Sequence, residues 1–191
     1  MLSPAIRRAT PSDAAALAAF AAVVFPLGCP ETDPADLAAY IACELTPERF
    51  VALLDDPNIL ILLAESSQRI VAYMVIALRS PHPHLTAPAP AEFRKLYLDP
   101  AYHGTGLSSA LTHCAISILN AEGPRPIWLS VFSENSRAIV FYKKWDFRIV
   151  GPLEFVVGND RQKDFLMLRD TTSDPLCDTP RTPGDAPSSG S

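Results

Sequence analysis

The chain has 191 residues, enough for one ordinary domain rather than two. Hydrophobic residues make up 48% and charged residues 19%, a balance that allows a buried core and excludes wholesale disorder. The formal net charge of −5 argues against a general nucleic-acid binder, and no nucleic-acid partner is expected. Asp170, Asp174, Asp178 and Asp185 against the single Arg181 carry −3 of that charge, so the acidity says little about a substrate.

A short strand over Ile6 to Thr10 opens the chain, followed by a predicted helix from Ser12 to Phe25. The charge-free run Ala14 to Cys29 follows Arg7 and Arg8, as a secretory leader would. Ser12 and Asp13 stand before it as helix-capping residues, and Pro26 and Gly28 end it. It also falls short of a bilayer-spanning helix. A soluble N-terminal helix is therefore expected, with no membrane partner. Two further helical patterns follow, Asp33 to Leu45 and Pro47 to Leu54, the second capped by Thr46. Asn58 to Ala64 and Ile70 to Leu78 are nearly continuous apolar runs across the polar turn Glu65 to Arg69, and predict a hairpin.

Ser80 to Pro90 holds four prolines and two histidines and predicts a loop. Glu92 to Leu98 is a third strong strand. Thr105 to Ala121 carries Leu107, Ala110, Leu111, Cys114, Ala115, Ile118 and Leu119 on one helical stripe. Ile127 to Phe132 predicts a strand, and Asn135 to Trp145 a helix with Ala138, Phe141, Tyr142 and Trp145 on one side. Strands over Phe147 to Val157 and Gln162 to Arg169 close the domain across the hairpin turn Gly158-Asn159-Asp160. This order predicts a mixed α/β sheet within a domain spanning 1–169. The tail 170–191, rich in Pro, Ser, Thr, Asp and Gly, is expected to be disordered. Cys29, Cys43, Cys114 and Cys177 show neither paired nor metal-like spacing and read as reduced thiols of a cytoplasmic protein. His82 and His84 lack a third ligand, so no metal is expected.

The most informative stretch is Leu96-Tyr-Leu-Asp-Pro-Ala-Tyr-His-Gly-Thr-Gly-Leu-Ser-Ser-Ala-Leu111. A strand stops at Asp99-Pro100, a glycine-containing turn follows, and a helix starts at once. The first N–H groups of a helix lack partners and sit at the positive end of its dipole, which suits a phosphate. Two glycines that merely turn the chain give the same spacing. The stretch is neither a Walker P-loop nor a full dinucleotide fingerprint.

The segment Ile127-Trp-Leu-Ser-Val-Phe-Ser-Glu-Asn-Ser-Arg-Ala-Ile-Val-Phe-Tyr-Lys-Lys-Trp-Asp-Phe147 resembles the second signature of the GCN5-related N-acetyltransferase superfamily. His103-Gly-Thr-Gly-Leu-Ser108 resembles the first, with His103 in place of the usual Arg or Gln, and Ser108 in place of a common Gly. Asp146 stands where a Gly normally ends the helix. The segment Gly158-Asn-Asp-Arg-Gln-Lys-Asp-Phe-Leu-Met167 resembles the last hairpin of bacterial members similar to spermidine/spermine acetyltransferases.

The resemblance implies a mostly antiparallel sheet of about seven strands, flanked by helices and splayed between strands four and five. It implies acetyl-coenzyme A as co-substrate, without a metal, and an amine acceptor, either a small molecule such as a polyamine or a peptide. By family position Tyr142 protonates the departing thiolate. Glu92 is a candidate base for the amine, with Glu134 or water as alternatives. Main chain at Leu96, Tyr97 and Leu98 pairs with the pantetheine amides like an added strand, and an N–H there polarises the thioester carbonyl. Backbone N–H groups of His103, Gly104, Thr105, Gly106, Leu107 and Ser108 hold the pyrophosphate, and Asn135 lies near the pantetheine. Glu31, Asp33 and Asp36 are placed to attract a cationic acceptor, with a capped, solvated turn as the competing reading. A protein N-terminal or lysine acetyltransferase is the alternative within enzymes, and a non-catalytic acyl-coenzyme A sensor the alternative outside them. A homodimer is compatible with all three.

Overall fold

The computed structural model describes residues 4–85, 89–157 and 160–171. Gly158 and Asn159 of the expected hairpin turn, and nearly all of the tail, lie outside the described residues.

Strand β1 (Ala5–Arg8) is followed by a continuous helical stretch, Pro11–Gly28, in which α1 (Ala14–Val24) is flanked by two 3-10 turns. Those turns lengthen the expected helix to 18 residues with mean hydropathy 1.5, long and apolar enough to cross a membrane. Here its Ala14, Leu17, Ala18, Ala21 and Val24 stripe is buried against the rest of the protein. Helices α2 (Pro34–Glu44) and α3 (Pro47–Asp55) follow. The Asp33 side chain accepts from the Ala35 N–H at 2.7 Å, and Thr46 from the Arg49 N–H at 3.3 Å. Each start therefore has the side-chain oxygen that its first turn needs.

Strands β2 (Ile59–Ser66) and β3 (Arg69–Ala77) form the expected hairpin. Its two-residue turn holds Ser67 and Gln68 at φ of 51° and 60°, the left-handed geometry that matches strand twist. β4 (Ala91–Leu98), α4 (Leu107–Ala121), β5 (Ile127–Phe132), α5 (Ser136–Lys143), β6 (Arg148–Val157) and β7 (Asp160–Arg169) complete the chain. The strand order is β1-β2-β3-β4-β5-β7-β6, a seven-stranded mixed sheet that is antiparallel except between β4 and β5.

Two apolar layers sandwich this sheet. Leu107, Leu111, Ala115, Ile116 and Leu119 of α4, with Ile139 of α5, pack against Leu62, Met74, Phe93 and Leu129. Leu17, Ala21 and Val24 of α1, with Phe50 of α3, pack against Ile61, Leu63, Tyr73 and Val75 on the other face. Each fully buried Leu, Ile or Phe contributes roughly 1.5–3 kcal/mol, so both faces are firmly held. The α4 stripe is rotated from the expected one: Thr112 and Ile116 are buried, whereas Ala110 is exposed. Among the residues of α5 only Ile139 is buried, so the side carrying Ala138, Phe141 and Tyr142 is partly open.

Arg7 ties β1 to the start of α1 and to β2. Its guanidinium donates two bonds to Asp13, at 2.7 and 2.8 Å, and two to Glu65, at 2.8 and 3.0 Å. Hydrogen bonds from Arg7, opposed by partial burial and helped by Thr10, hold the Asp13 carboxyl well below the usual carboxylate range. The folded value is depressed, so the stabilisation is complete above the unfolded value of about 3.9 and is lost as pH falls below it. Arg7 keeps 38% of its side chain in solvent, which screens the pair. Asp13→Asn is expected to cost about 1–2 kcal/mol in denaturant melts at pH 7. The gap from the wild type should narrow steadily as pH falls below about 5, and it closes only once the folded-state carboxyl is itself protonated.

Candidate active site

β4 and β5 pair in parallel only at Ala91–Ile127 and Glu92–Trp128, then part. On its other edge β4 stays bonded to β3 as far as Leu98, through a bulge in which Arg94 is the extra residue. Residues 93–98 therefore present a strand edge without a β5 partner. Leu96 and Leu98 pack toward the α4 side, while Tyr97 turns the opposite way and stacks on Tyr73 at 5.8 Å. A cavity of about 620 Å³ opens in the gap, walled by Leu96, Tyr97, Leu98, Phe132, Ala138 and Tyr142 among others.

The turn before α4 ends at Gly106, whose φ of 88° makes it a left-handed N-cap, and Gly104 sits at 78°. L-residues with a Cβ rarely adopt these angles, and a Cβ on either glycine would meet nothing within 4 Å. The space above the turn is thus open to a ligand. The amides of Gly104, Gly106, Leu107 and Ser108 have no hydrogen-bond partner among the described residues. The six-amide cradle is reduced to these four. The His103 N–H donates to the Pro100 carbonyl at 3.1 Å and that of Thr105 to the Tyr102 carbonyl at 3.4 Å. The Thr105 hydroxyl also donates to the Tyr102 carbonyl, at 2.7 Å.

His103 contributes its ring instead. It lines the cavity with Nδ1 3.1 Å from a guanidinium nitrogen of Arg137. Desolvation, then the Arg137 charge, pushes the imidazole below its usual value, so it is neutral and accepts from Arg137. Arg137, which sequence reasoning passed over, places a fixed positive charge where the usual Arg or Gln of the first signature is missing. One signal was available: a cation in the first turn of a helix opposes the macrodipole, and so asks for another reason to be there.

Asn135 caps α5, its side chain accepting from the Ala138 N–H at 3.0 Å, and it also lines the cavity. Asp146 ends that helix at φ 63°, with the Phe147 N–H reaching the Tyr142 carbonyl at 3.1 Å, a Schellman closure made without glycine. Between these ends Tyr142 is fixed edge-on to Phe141 at 5.2 Å and to Phe147 at 5.6 Å. Burial raises its phenol well above the usual value, so it holds its proton through neutral pH.

Glu92 is not brought to this site. It stands where β4 and β5 are still paired, outside the cavity lining, and its Oε2 accepts from Ser80 Oγ at 2.7 Å and Arg94 Nε at 2.9 Å. Glu31 and Glu134 do line the cavity. Asp33 is committed to the α2 cap. The segment 26–36 borders the cavity through Leu27, Gly28, Pro30 and Glu31. The described part of the segment 80–90 instead lies over Trp128, whose Nε1 donates to the Ser80 carbonyl at 2.8 Å and whose ring meets His82 at 4.7 Å.

An unpaired strand edge beside free helix-start amides, under a protonated phenol, fits a nucleotide thioester and defines an acyl-coenzyme A-dependent transferase. The known proteins agree. Residues 27–147 match the acetyltransferase (GNAT) family. An uncharacterised N-acetyltransferase of Mycobacterium tuberculosis is 37% identical over 160 residues, covering 83% of this chain and 98% of the relative. PaiA N-acetyltransferase of Thermoplasma acidophilum, solved in complex with coenzyme A, superposes with TM-score 0.72 at 20% identity, over 88% of this chain and 99% of that one. The ribosomal-protein-S18-alanine N-acetyltransferase of Escherichia coli superposes with TM-score 0.65 at 16% identity, over 89% and 95%. The chain belongs to the acetyltransferase (GNAT) family and is an acetyl-coenzyme A-dependent N-acetyltransferase.

Charge-assisted bonds from a guanidinium to phosphate are worth about 1.5–3 kcal/mol. Arg137→Ala should therefore weaken coenzyme A binding by about tenfold or more in calorimetry. Thr105→Ala, whose hydroxyl is turned to Tyr102, should leave the affinity within about twofold.

Proposed function

We propose that this protein transfers the acetyl group of acetyl-coenzyme A to the primary amine of a small cationic molecule, such as a polyamine, by direct attack in a ternary complex. The observation that carries this reading is the parting of β4 from β5 beneath Tyr142. The thioester supplies an activated acyl group and a thiolate leaving group. The free amides of Gly104, Gly106, Leu107 and Ser108, with Arg137, hold the diphosphate. The edge at residues 93–98 receives the pantetheine amides, and Asn135 borders the same channel.

Tyr142 keeps its phenolic proton until the thiolate needs it, a general-acid role that its burial supports. A cationic acceptor is supported by the cavity's charge. Arg137 faces the diphosphate, His103 is neutral, and the remaining ionisable groups of the lining include the carboxylates of Glu31 and Glu134. The resemblance of 158–167 to the spermidine/spermine-type hairpin points the same way. Reduced Cys29, Cys43 and Cys114 are consistent with work in the cytoplasm.

An amine panel with acetyl-coenzyme A, followed by thiol release, tests this directly. Turnover on spermidine or a short diamine is expected, and acetylation of peptide amines alone would replace the acceptor class. Tyr142→Phe should lower turnover by about 100-fold while coenzyme A affinity changes less than about twofold. An unchanged turnover would remove the acid role.

A further inference from the structure

A second cavity, of about 290 Å³, is walled by α2, α3, β3 and β4 and shares no lining residue with the first. Three cations line it: Arg49 of α3, and Arg94 and Lys95 of β4. Glu44 of α2 is the one carboxylate among the described residues of that wall. In a regular strand, consecutive side chains such as those of Arg94 and Lys95 point to opposite faces. The bulge at Arg94 breaks that alternation and lets both reach one cavity.

The single acid is already engaged, while several donors are not. Glu44 Oε1 accepts from Arg49 Nη2 at 2.7 Å, and Arg49 Nε donates to the Cys43 carbonyl at 3.3 Å, which leaves Nη1 without a protein partner. Arg94 donates through Nε to Glu92 Oε2 at 2.9 Å, and its two terminal nitrogens have no partner among the described residues. Lys95 forms neither a hydrogen bond nor an ion pair with a described residue, and its ammonium stands 5.8 Å from the centre of the Tyr40 ring. The groups that bear on it are Tyr40 and Glu44 from α2, Arg49 from α3 and Arg94 from its own strand; Val75, its ladder neighbour on β3, does not ionise. Burial is the largest effect on the Lys95 ammonium and pulls it below its usual value, against the attraction of Glu44. An ammonium drawn out of water without an acceptor is costly, and an anion entering the cavity would supply one.

We propose that this cavity binds a small oxyanion on a short apolar body, a carboxylate or a phosphate ester, held by Lys95 Nζ and the free guanidinium nitrogens of Arg49 and Arg94. Guanidinium forks match the paired oxygens of either group, and the ammonium adds a point charge. Tyr40, Leu53 and Val75 offer the apolar body its contact surface. The volume is at the lower end for small-molecule sites, which suits a ligand of a few heavy atoms and excludes a nucleotide. The site is separate from that of the donor, whose phosphates meet the α4 amides and Arg137 in the first cavity.

The test uses protein saturated with coenzyme A, so that the α4 amides are occupied, at constant ionic strength. In carbon-13 NMR the Lys95 Cε titration should lie below that of exposed lysines and move up on adding butyrate or inorganic phosphate, but not 1-butanol. Movement with either anion upholds the site, and the more effective of the two identifies the source of the oxyanion. A titration that neither anion moves, or that the alcohol moves equally, overturns the proposal. In calorimetry the effective anion should bind Lys95→Gln and Arg49→Gln at least about fivefold more weakly, and Arg137→Ala within about twofold of the wild type. Arg49 is exposed, so its variant serves even if Lys95→Gln does not fold. Undiminished binding to Arg49→Gln, or a loss confined to Arg137→Ala, overturns the proposal.

Discussion

Strands β4 and β5 pair for two residues and then separate, and the position of every functional group follows from that separation. A strand edge left unpaired inside a folded protein carries unsatisfied N–H and C=O groups, which is unfavourable unless something else bonds to them. Here the edge at residues 93–98 borders the cavity, so an extended ligand with its own amides restores the missing ladder. The wedge is maintained from both faces. α4 packs its Leu107–Leu119 stripe on one side, while Tyr97 is stacked into the aromatic group of Tyr73 and Phe25 on the other. The bulge at Arg94 lets Phe93 and Leu96 share a face although they are three residues apart.

At the α4 end the favourable potential comes from four free amides and from Arg137, with His103 held neutral beside it. The same lining also carries the carboxylates of Glu31 and Glu134. An anionic donor would thus meet a preformed positive field at its phosphates, with little reorganisation needed there. Tyr142 lines the same channel against Phe141 and Phe147, apolar surroundings in which a phenol keeps its proton until a strong base forms next to it.

Local features of this design were legible in the sequence. The strand–turn–helix joint, the caps at Thr46 and Asn135, the hairpin over 65–69 and the left-handed Asp146 depend on neighbours a few residues away, and all appear. The insertion of β7 between β5 and β6 depends on long-range pairing that no local pattern encodes. The shared side of Ala138, Phe141 and Tyr142 was legible from helical spacing, but that it walls a cavity was not, because the gap that parts the sheet is set by long-range pairing. Glu92 lies outside the cavity lining for a similar reason. Its place at the start of β4 was readable, but where the β4–β5 pairing ends was not. Arg137 and His103 are 34 residues apart in sequence, beyond any motif window.

The backbone parts of the site, namely the strand edge, the glycine turn and the helix start, cannot move without changing the fold, and the fold is shared with neighbours at or below 20% identity. Side-chain charge is not bound in this way. A guanidinium absent at position 103 is delivered from the first turn of α5. Field strength at a point depends on where a charge ends up and not on which strand carries it, so a scaffold with several elements converging on one gap can reassign its charges freely. Such reassignment should be greatest where the cavity is walled by side chains and not by the strand edge or the helix start.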